Sequence, residues 1–451
     1  MTYSQAIEYL YSLRLFGMKL GLENTFRLAA ALGNPQHRLR FIHVAGTNGK
    51  GSTCAMLESI YRAAGCRVGL FTSPHLVSFA ERIQVDRHLI SREDVARLTG
   101  DLRAAMEGLG AETHPTFFEA VTVMALKYFD EQQCGLVVWE TGLGGRLDAT
   151  NIVTPLASVI TNVQLDHQQW LGQTLPEIAR EKAGIIKPGV PALTTTDDPG
   201  ALRVIVEAAR RQEAPLTVVT QPDCPYEISL AGEHQKKNAA LALAVTRLLQ
   251  PRVPVPESAA REGFKTTRWD GRLQSVPQPG GRIIVLDGAH NPAGAQTLAA
   301  ALQARFPNRP RALIMGTMAD KDYPAICNML APAAARIFLS PIASDRGADP
   351  QWLADCCRKA NAAAKVIVCR NIAHALAQAA GEPLVVVAGS IHFVGEAMEE
   401  LGLASSDSER GLNDYGASAR RGAVGADAPH HFSGIEAVTF DSNSNKITSS
   451  A

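Results

Sequence analysis

Residues 41–65, FIHVAGTNGKGSTCAMLESIYRAAG, constrain the fold more than any other stretch. Phe41 to Ala45 is a short apolar run of the kind that forms a buried strand. Gly46, Gly49 and Gly51 follow directly and free the backbone from the limits a Cβ imposes. The helical spacing of Met56, Leu57, Ile60 and Tyr61 then predicts a helix opening at Ser52 or Thr53. A strand, a glycine-rich turn and a helix N-terminus together present N–H groups to an anion. Lys50 adds a positive charge, and the Ser52 hydroxyl can reach a phosphate or a magnesium ion. The spacing is not that of the Walker A pattern, because only Thr47 and Asn48 separate Gly46 from the Gly49-Lys50 pair. Close packing alone can explain a glycine-rich helix start. Three glycines, a lysine and a hydroxyl directly after a strand favour phosphate binding.

The same grammar recurs downstream. CRVGLFTSPHL (66–76) reads as a strand ending in Thr72, Ser73 and Pro74, and CGLVVWETGLGGRLDATNIV (134–153) places Glu140 at a strand end before Gly142, Gly144 and Gly145. PLASVITNVQLDHQQWLG (155–172) reads as a strand followed by the polar residues Asp166 and His167. Open α/β sheets place ligands at the carboxyl ends of their strands. Ser73, Glu140 and His167 are therefore candidates for one crevice, and a carboxylate such as Glu140 beside a nucleotide suits magnesium. Plainer readings stand beside these: Ser73 as a turn cap, and His167 as an ordinary core or surface histidine. Thr116-Phe117-Phe118-Glu119 matches a capping box, which explains Glu119 without a ligand. Thr174 to Glu177 is a second box, and its helix runs to Gly184, so Lys182 in the last turn can offset the helix dipole.

A length of 451 residues predicts two or three domains. Lysine plus arginine equals aspartate plus glutamate, 44 each, so no bulk field favours nucleic acid or an anionic membrane. No apolar run approaches the roughly 18 residues of a membrane helix. The N-terminus reads as an amphipathic helix and not as a signal peptide. Eight cysteines without a CxxC pair suggest reduced thiols in a cytoplasmic protein, with no disulfide framework or zinc site. Helices are expected over much of 1–40, 91–132 and 232–249, with PRVPVP (251–256) a stiff connector. A turn-rich stretch at 266–281 marks a boundary. Beyond it, 282–306 repeats strand, turn and helix, with Asn291 as cap and Pro292 in the first turn. Strands at 311–316, 335–340, 364–369 and 383–389 alternate with alanine-rich helical runs, predicting a second α/β unit with right-handed crossovers. From Ser405 periodicity stops. We expect domains 1–273 and 274–404, and a disordered tail over 405–451, with a short strand conceivable at 436–440 and His430-His431 a weak metal signal.

Nine blocks now in hand resemble, in order, the folylpolyglutamate synthase and dihydrofolate synthase family of the Mur ligase superfamily. They are HVAGTNGKGS, FTSPHL, TFFEAVTVMAL, ETGLGGRLDATN, ITNVQLDHQQWLG, EKAGIIKPG, EHQKKNAALA, WDGRL and LDGAHNP. The resemblance covers about residues 1–404. It implies an α/β fold: a P-loop central domain with a mainly parallel sheet, followed by a smaller Rossmann-like domain. It implies an ATP-dependent ligase that phosphorylates a carboxylate to an acyl phosphate, which the amino group of L-glutamate then displaces. The bifunctional members add glutamate to 7,8-dihydropteroate and then to tetrahydrofolate polyglutamates, and the LGLENTFRL segment with TFFE resembles their pterin pocket. By resemblance, Asn48, Gly49, Lys50, Gly51 and Ser52 hold the ATP phosphates, and Asn238, Arg272, Asp287 and His290 surround the nucleotide. One magnesium is implied near Ser73 and Glu140 and a second near His167, where Lys182, carbamylated, becomes a ligand; a potassium ion is also allowed. Lys50, Glu140, His167 and Lys182 are the implied catalytic set. The loop at 17–20, Thr116, Phe117, Phe118 and Glu119, and Leu147, Asp148 and Ala149 match the pterin wall. The implied partners are small molecules, with no nucleic acid or membrane, for a monomer in the cytoplasm. GTMADKD (316–322) and SDRGAD (344–349) resemble loops near the glutamate site. A synthase limited to polyglutamylation is the nearest alternative. A cell-wall Mur ligase is disfavoured because helices and the P-loop open the chain. A P-loop regulator without ligase chemistry is the reading from another class, and Lys50, Glu140, His167 and Lys182 argue against it.

Overall fold

The computed structural model describes residues 1–17, 21–109, 114–405 and 409. The loop positions 18–20, the strand expected at 436–440 and His430-His431 lie outside the described residues, as does most of the tail. Beyond Ser405 only Glu409 is described. It is buried, and its carboxylate accepts from the Tyr3 hydroxyl and the Phe79 N–H.

Two sheets organise the chain. The strands of the first are β1 (Phe41–Ala45), β2 (Val68–Phe71), β3 (Ile83–Val85), β4 (His88–Leu89), β5 (Leu136–Glu140), β6 (Ala157–Ile160), β7 (Ala192–Thr194) and β8 (Leu216–Val218). Their spatial order is β4-β3-β2-β5-β1-β6-β7-β8. The pairs from β2 to β8 are parallel, and β3 and β4 close one edge antiparallel. β1 therefore sits near the centre, with Val44 in register with Glu140 and Val159. Parallel strands buried on both faces read as continuous apolar runs, which is why β1, β2 and β5 were legible. Side chains alternate between two cores. Phe41, Phe71, Val137 and Trp139 face the N-terminal helices and the helices Arg92–Gly108 and Phe117–Glu131. Ile42, Val44, Leu70 and Val138 face the helices Lys50–Ala63, His234–Leu248 and Glu257–Thr266.

The second sheet comprises β9 (Gln274–Pro277), β10 (Ile283–Leu286), β11 (Ala312–Met315), β12 (Arg336–Leu339), β13 (Lys365–Val368) and β14 (Leu384–Ala388). Its order is β13-β12-β11-β14-β10-β9, with only β9 antiparallel. It too is covered on both faces. Val285, Leu313 and Val386 point to one core, and Ile284, Ile314 and Val387 to the other. Both sheets belong to one compact unit.

Several local expectations are met. Thr116 with Glu119 and Thr174 with Glu177 form complete capping boxes. Asn291 caps the helix Pro292–Arg305, accepting from the Gly294 N–H at 2.8 Å. One element starts elsewhere than expected. The P-loop helix opens at Lys50 and not at Ser52 or Thr53, because Gly49 takes the left-handed conformation with φ 83° and serves as its N-cap. The β3–β4 hairpin and the helix Glu257–Thr266 were not anticipated.

Candidate active site

The site begins with the P-loop. No side-chain oxygen caps the helix Lys50–Ala63, so its first N–H groups have no intrahelical acceptor and face outward. Two glycines make the turn possible. A Cβ at Gly46 would lie 1.8 Å from Thr161 Oγ1, and one at Gly49, beyond its positive φ, would lie 2.5 Å from Asn238 Oδ1. The Asn48 N–H donates to Asn162 Oδ1 at 2.9 Å, fixing the loop on the far end of β6. Gln235 Nε2 donates to Ser52 Oγ at 3.2 Å, and Asn238 Nδ2 donates to Gln235 Oε1 at 2.9 Å. The helix His234–Leu248 thus holds the Ser52 hydroxyl.

Next to this loop, charge is buried with unusual economy. Glu140, at the end of β5, is 3% exposed. Its Oε2 accepts the Ser73 N–H at 3.1 Å, and its Oε1 lies 3.9 Å from Lys50 Nζ. Burial pushes its carboxyl up to about 7 even though Lys50 and the Ser73 N–H pull the other way. Lys50 Nζ donates to Gly46 O at 3.2 Å and Thr47 O at 3.4 Å, folded back over its own loop. Lys182 is 3% exposed and donates to the same Gly46 carbonyl at 2.9 Å. It does not reach its own helix end, so the dipole reading does not describe where its charge goes. Burial, helped by nearby Lys50, brings its ammonium down to about 7, so the neutral amine is accessible.

Asp166 is the node between the two sheets. Its Oδ1 accepts from Lys321 Nζ at 2.6 Å, and its Oδ2 accepts from Asn291 Nδ2 at 3.0 Å and lies 3.5 Å from His290 Nε2. Burial alone would raise this carboxyl, but the His290 ring, His167 and Lys321 outweigh it and hold it well below the carboxylate range. His167 follows in a left-handed conformation, φ 51°, with Nε2 at 3.4 Å from Lys321 Nζ. Desolvation, with Lys321, His290 and Lys50 against Asp166, lowers its imidazole below the ordinary value. A second bridge joins Asn48 and Asn291 by reciprocal amide bonds of 3.2 and 3.0 Å. Arg272 precedes β9 and Asp287 follows β10, and the Arg272 charge acts on the buried Asp287 carboxyl. Asp287 accepts the N–H groups of Leu273 at 2.8 Å and Ala289 at 2.9 Å.

The opposite wall is less polar. Thr116 and Glu119 each bond the other's backbone, the Thr116 N–H reaching Glu119 Oε2 at 2.7 Å, and Glu119 Oε1 accepts from the Thr25 hydroxyl at 3.5 Å. Phe118 packs by Phe71 with ring centroids 6.1 Å apart, and Phe117 by Phe79 at 6.4 Å. Asp148 accepts the Leu143 N–H at 2.7 Å and the Thr150 N–H at 3.0 Å, and caps the short helix Ala149–Ile152. Leu147 and Ala149 flank it.

The candidate catalytic, nucleotide, metal and pterin-wall residues that the structure describes line one cavity of about 1060 Å³: Gly17, the loop 48–52, Ser73, Thr116 to Glu119, Glu140, Leu147 to Ala149, His167, Lys182, Asn238, Arg272, Asp287 and His290. Asp166, Lys321, Arg346 and Gln235 line it too and were not in the expected set. Lys321 and Asp166 had a signal in GTMADKD and LDH, but nothing local shows that they pair across 155 residues.

Such a cavity can seat a polyanion at the P-loop and an apolar ring at the opposite wall, with buried carboxylates and amines between. Comparisons with known proteins agree. Residues 44–219 match the Mur ligase middle domain, and residues 271–391 match the glutamate ligase domain of Mur ligases. The dihydrofolate synthase/folylpolyglutamate synthase of Bacillus subtilis (strain 168) is 34% identical over 427 residues, covering 88% of this chain and 99% of that protein. The crystal structure of a folylpolyglutamate synthase from Thermotoga maritima superposes with a TM-score of 0.80 at 33% identity, over 90% of this chain and 98% of that one. Escherichia coli FolC in complex with DHPP and ADP gives a TM-score of 0.80 at 31% identity, over 89% and 98%. With a middle and a glutamate-ligase domain in the right order around one crevice, this chain belongs to the dihydrofolate synthase and folylpolyglutamate synthase family of Mur ligases.

Proposed function

We propose that this chain is an ATP-dependent ligase that adds L-glutamate to 7,8-dihydropteroate and to tetrahydrofolate polyglutamates. The observation that carries the reading is the convergence of P-loop, Glu140, Lys182 and the aromatic wall on one cavity that residues of the second sheet help to close. In the first step an oxygen of the acceptor carboxylate attacks the γ-phosphorus of ATP, and ADP leaves. In the second the glutamate amine attacks the acyl carbon, phosphate leaves, and the amine loses a proton. Asn48 to Ser52 hold the phosphates, and Lys50 neutralises the charge that develops in transfer. Asn238, Arg272, Asp287 and His290 frame the nucleotide. Thr116 to Glu119 and Leu147 to Ala149 receive the pterin.

Magnesium fits the donors at Glu140 and Ser73, which are oxygens only. Among the described residues no group of three or more His, Cys, Asp or Glu could hold a metal ion. An ion there would take its remaining ligands from phosphate and water, as magnesium commonly does. Its chemistry would be to neutralise phosphate charge. Near His167 the fit depends on Lys182: as an amine it donates to Gly46 O, and only a carbamate would turn it into an oxygen ligand. The acyl phosphate needs shelter from water, which the bridges at Asp166–Lys321 and Asn48–Asn291 help to provide. Eight free cysteines suit a reducing, cytoplasmic setting.

Mass spectrometry of products from ATP, L-glutamate and each acceptor tests the proposal. Glutamylated dihydropteroate and extended folate are expected. Product from tetrahydrofolate only would leave the polyglutamylating activity alone. Phosphate release that ignores both glutamate and acceptor would overturn the ligase reading.

A further inference from the structure

His43 is a polar residue with no role in the chemistry above, yet it occupies the middle of the central strand. It is 0% exposed, between Ile42 and Val44, both also 0% exposed. Its in-register neighbour on β5 is Trp139. Both side chains reach the same residue of the loop beyond β5. His43 Nε2 lies 2.9 Å from Thr150 Oγ1, and Trp139 Nε1 donates to Thr150 O at 3.0 Å. Thr150 Oγ1 in turn donates to Asp148 Oδ1, the same oxygen that takes the Thr150 N–H.

The direction of this chain follows from proton count. A hydroxyl has one hydrogen and two lone pairs. The carboxylate is the stronger acceptor, so it takes the Thr150 hydrogen, and His43 must donate through Nε2–H. His43 Nδ1 then carries a bare lone pair, and it has no hydrogen-bond partner among the described residues. Burial keeps this imidazole neutral at working pH, consistent with a single Nε2 hydrogen. Thr150 is therefore held at its carbonyl by Trp139 and at its hydroxyl by His43, and the Asp148 carboxylate is left in one orientation at the cavity wall.

We propose that His43 and Thr150 are positioning residues for the acceptor wall, the imidazole acting through the Thr150 hydroxyl to fix the Asp148 carboxylate. The proposal rests on the reading that Leu147 to Ala149 receive the pterin. It deepens that reading by tying acceptor recognition to a strand whose C-terminal end becomes the P-loop. Neither residue lines the cavity, and their chain of bonds reaches it at Asp148 and not at the P-loop, so their loss should separate the two substrates.

The test compares Thr150→Val, Thr150→Ser and His43→Leu with the wild-type enzyme, measuring KM for dihydropteroate and for ATP, and hydrogen exchange at the Leu143 and Thr150 amides. Thr150→Val and His43→Leu should raise the dihydropteroate KM by about tenfold or more, as for loss of a hydrogen bond to a charged group, while the ATP KM moves by less than about twofold. The two amides should exchange faster, and Thr150→Ser, which keeps the hydroxyl, should restore wild-type behaviour. If His43→Leu does not fold, the Thr150 pair decides alone. With an active wild-type enzyme, equal changes in both KM values or an unchanged dihydropteroate KM in Thr150→Val would overturn the positioning role by itself. A wild-type enzyme that turns over no pterin acid would overturn the proposed function, and this inference with it.

Discussion

Replacing Lys50 by methionine removes a charge while keeping most of the side chain's length. Lys50 Nζ lies 3.9 Å from Glu140 Oε1, with side chains 16% and 4% exposed. At an effective dielectric of about 20, that separation corresponds to about 4 kcal/mol of attraction. The same cation would act on the transferring phosphoryl group at comparable range. Loss of about 4 kcal/mol from the transition state lowers kcat/KM by roughly a thousandfold. The assay is acceptor- and glutamate-dependent ADP release, with a melting curve to confirm folding. The structure adds a signature that does not depend on catalysis. Without Lys50, the Glu140 carboxyl, already raised to about 7 by burial, rises further. A folded-state value above the unfolded one contributes stability that is full below the unfolded value and is lost as pH rises through the folded one. The melting deficit of Lys50→Met should therefore be small near pH 6 and grow toward pH 9. Activity within about tenfold of wild type would refute the role of the charge, and a deficit that does not change with pH would refute the pairing with Glu140.

Three further outcomes are expected. The Lys182 amine, lowered to about 7 from 10.5 by burial, is largely neutral at pH 8, so isotope-labelled bicarbonate should give a carbamate resonance in wild-type enzyme that is absent from Lys182→Arg and fades as pH falls through 7; no such resonance would remove the proposed second metal site. The same lysine contributes stability that is present above its unfolded value and lost as pH falls toward 7. Gly49→Ala forces a methyl against Asn238 at a φ of 83°, costing about 1–3 kcal/mol and weakening ADP binding by calorimetry; unchanged affinity would show that the turn tolerates other geometries. Thr116→Ala should lower stability by about 1 kcal/mol through its cap, whereas Glu119→Gln, which can still complete the box, should be nearly neutral by thermal melting.

The parts legible in the sequence are those set by neighbours in the chain. Thr116 with Glu119, Thr174 with Glu177, and Asn291 with Pro292 announce helix starts because their hydrogen bonds span three residues. The strand tip at Glu140 was visible because a buried apolar run ends abruptly in polar residues, whereas Asp166 and His167, expected at a strand end, follow a loop that begins after Ile160. The P-loop helix start was placed two or three residues late because the left-handed Gly49, and not a hydroxyl, serves as cap. The β3–β4 hairpin escaped notice because Asp86 and Arg87 turn it with positive φ and without glycine. The partners of Asp166, Asn48 and His43 stood beyond reach, since Lys321, Asn291 and Thr150 lie 155, 243 and 107 residues away along the chain. Spacing can nominate such residues, but only the fold pairs them.

The route through an acyl phosphate is tested most directly by following oxygen. Dihydropteroate carrying heavy oxygen in its carboxylate is incubated with ATP, L-glutamate and the enzyme, and the released phosphate is analysed by mass spectrometry. Attack of that carboxylate on the γ-phosphorus predicts one heavy oxygen in each phosphate released with product. Phosphate free of label, alongside glutamylated product, would contradict it.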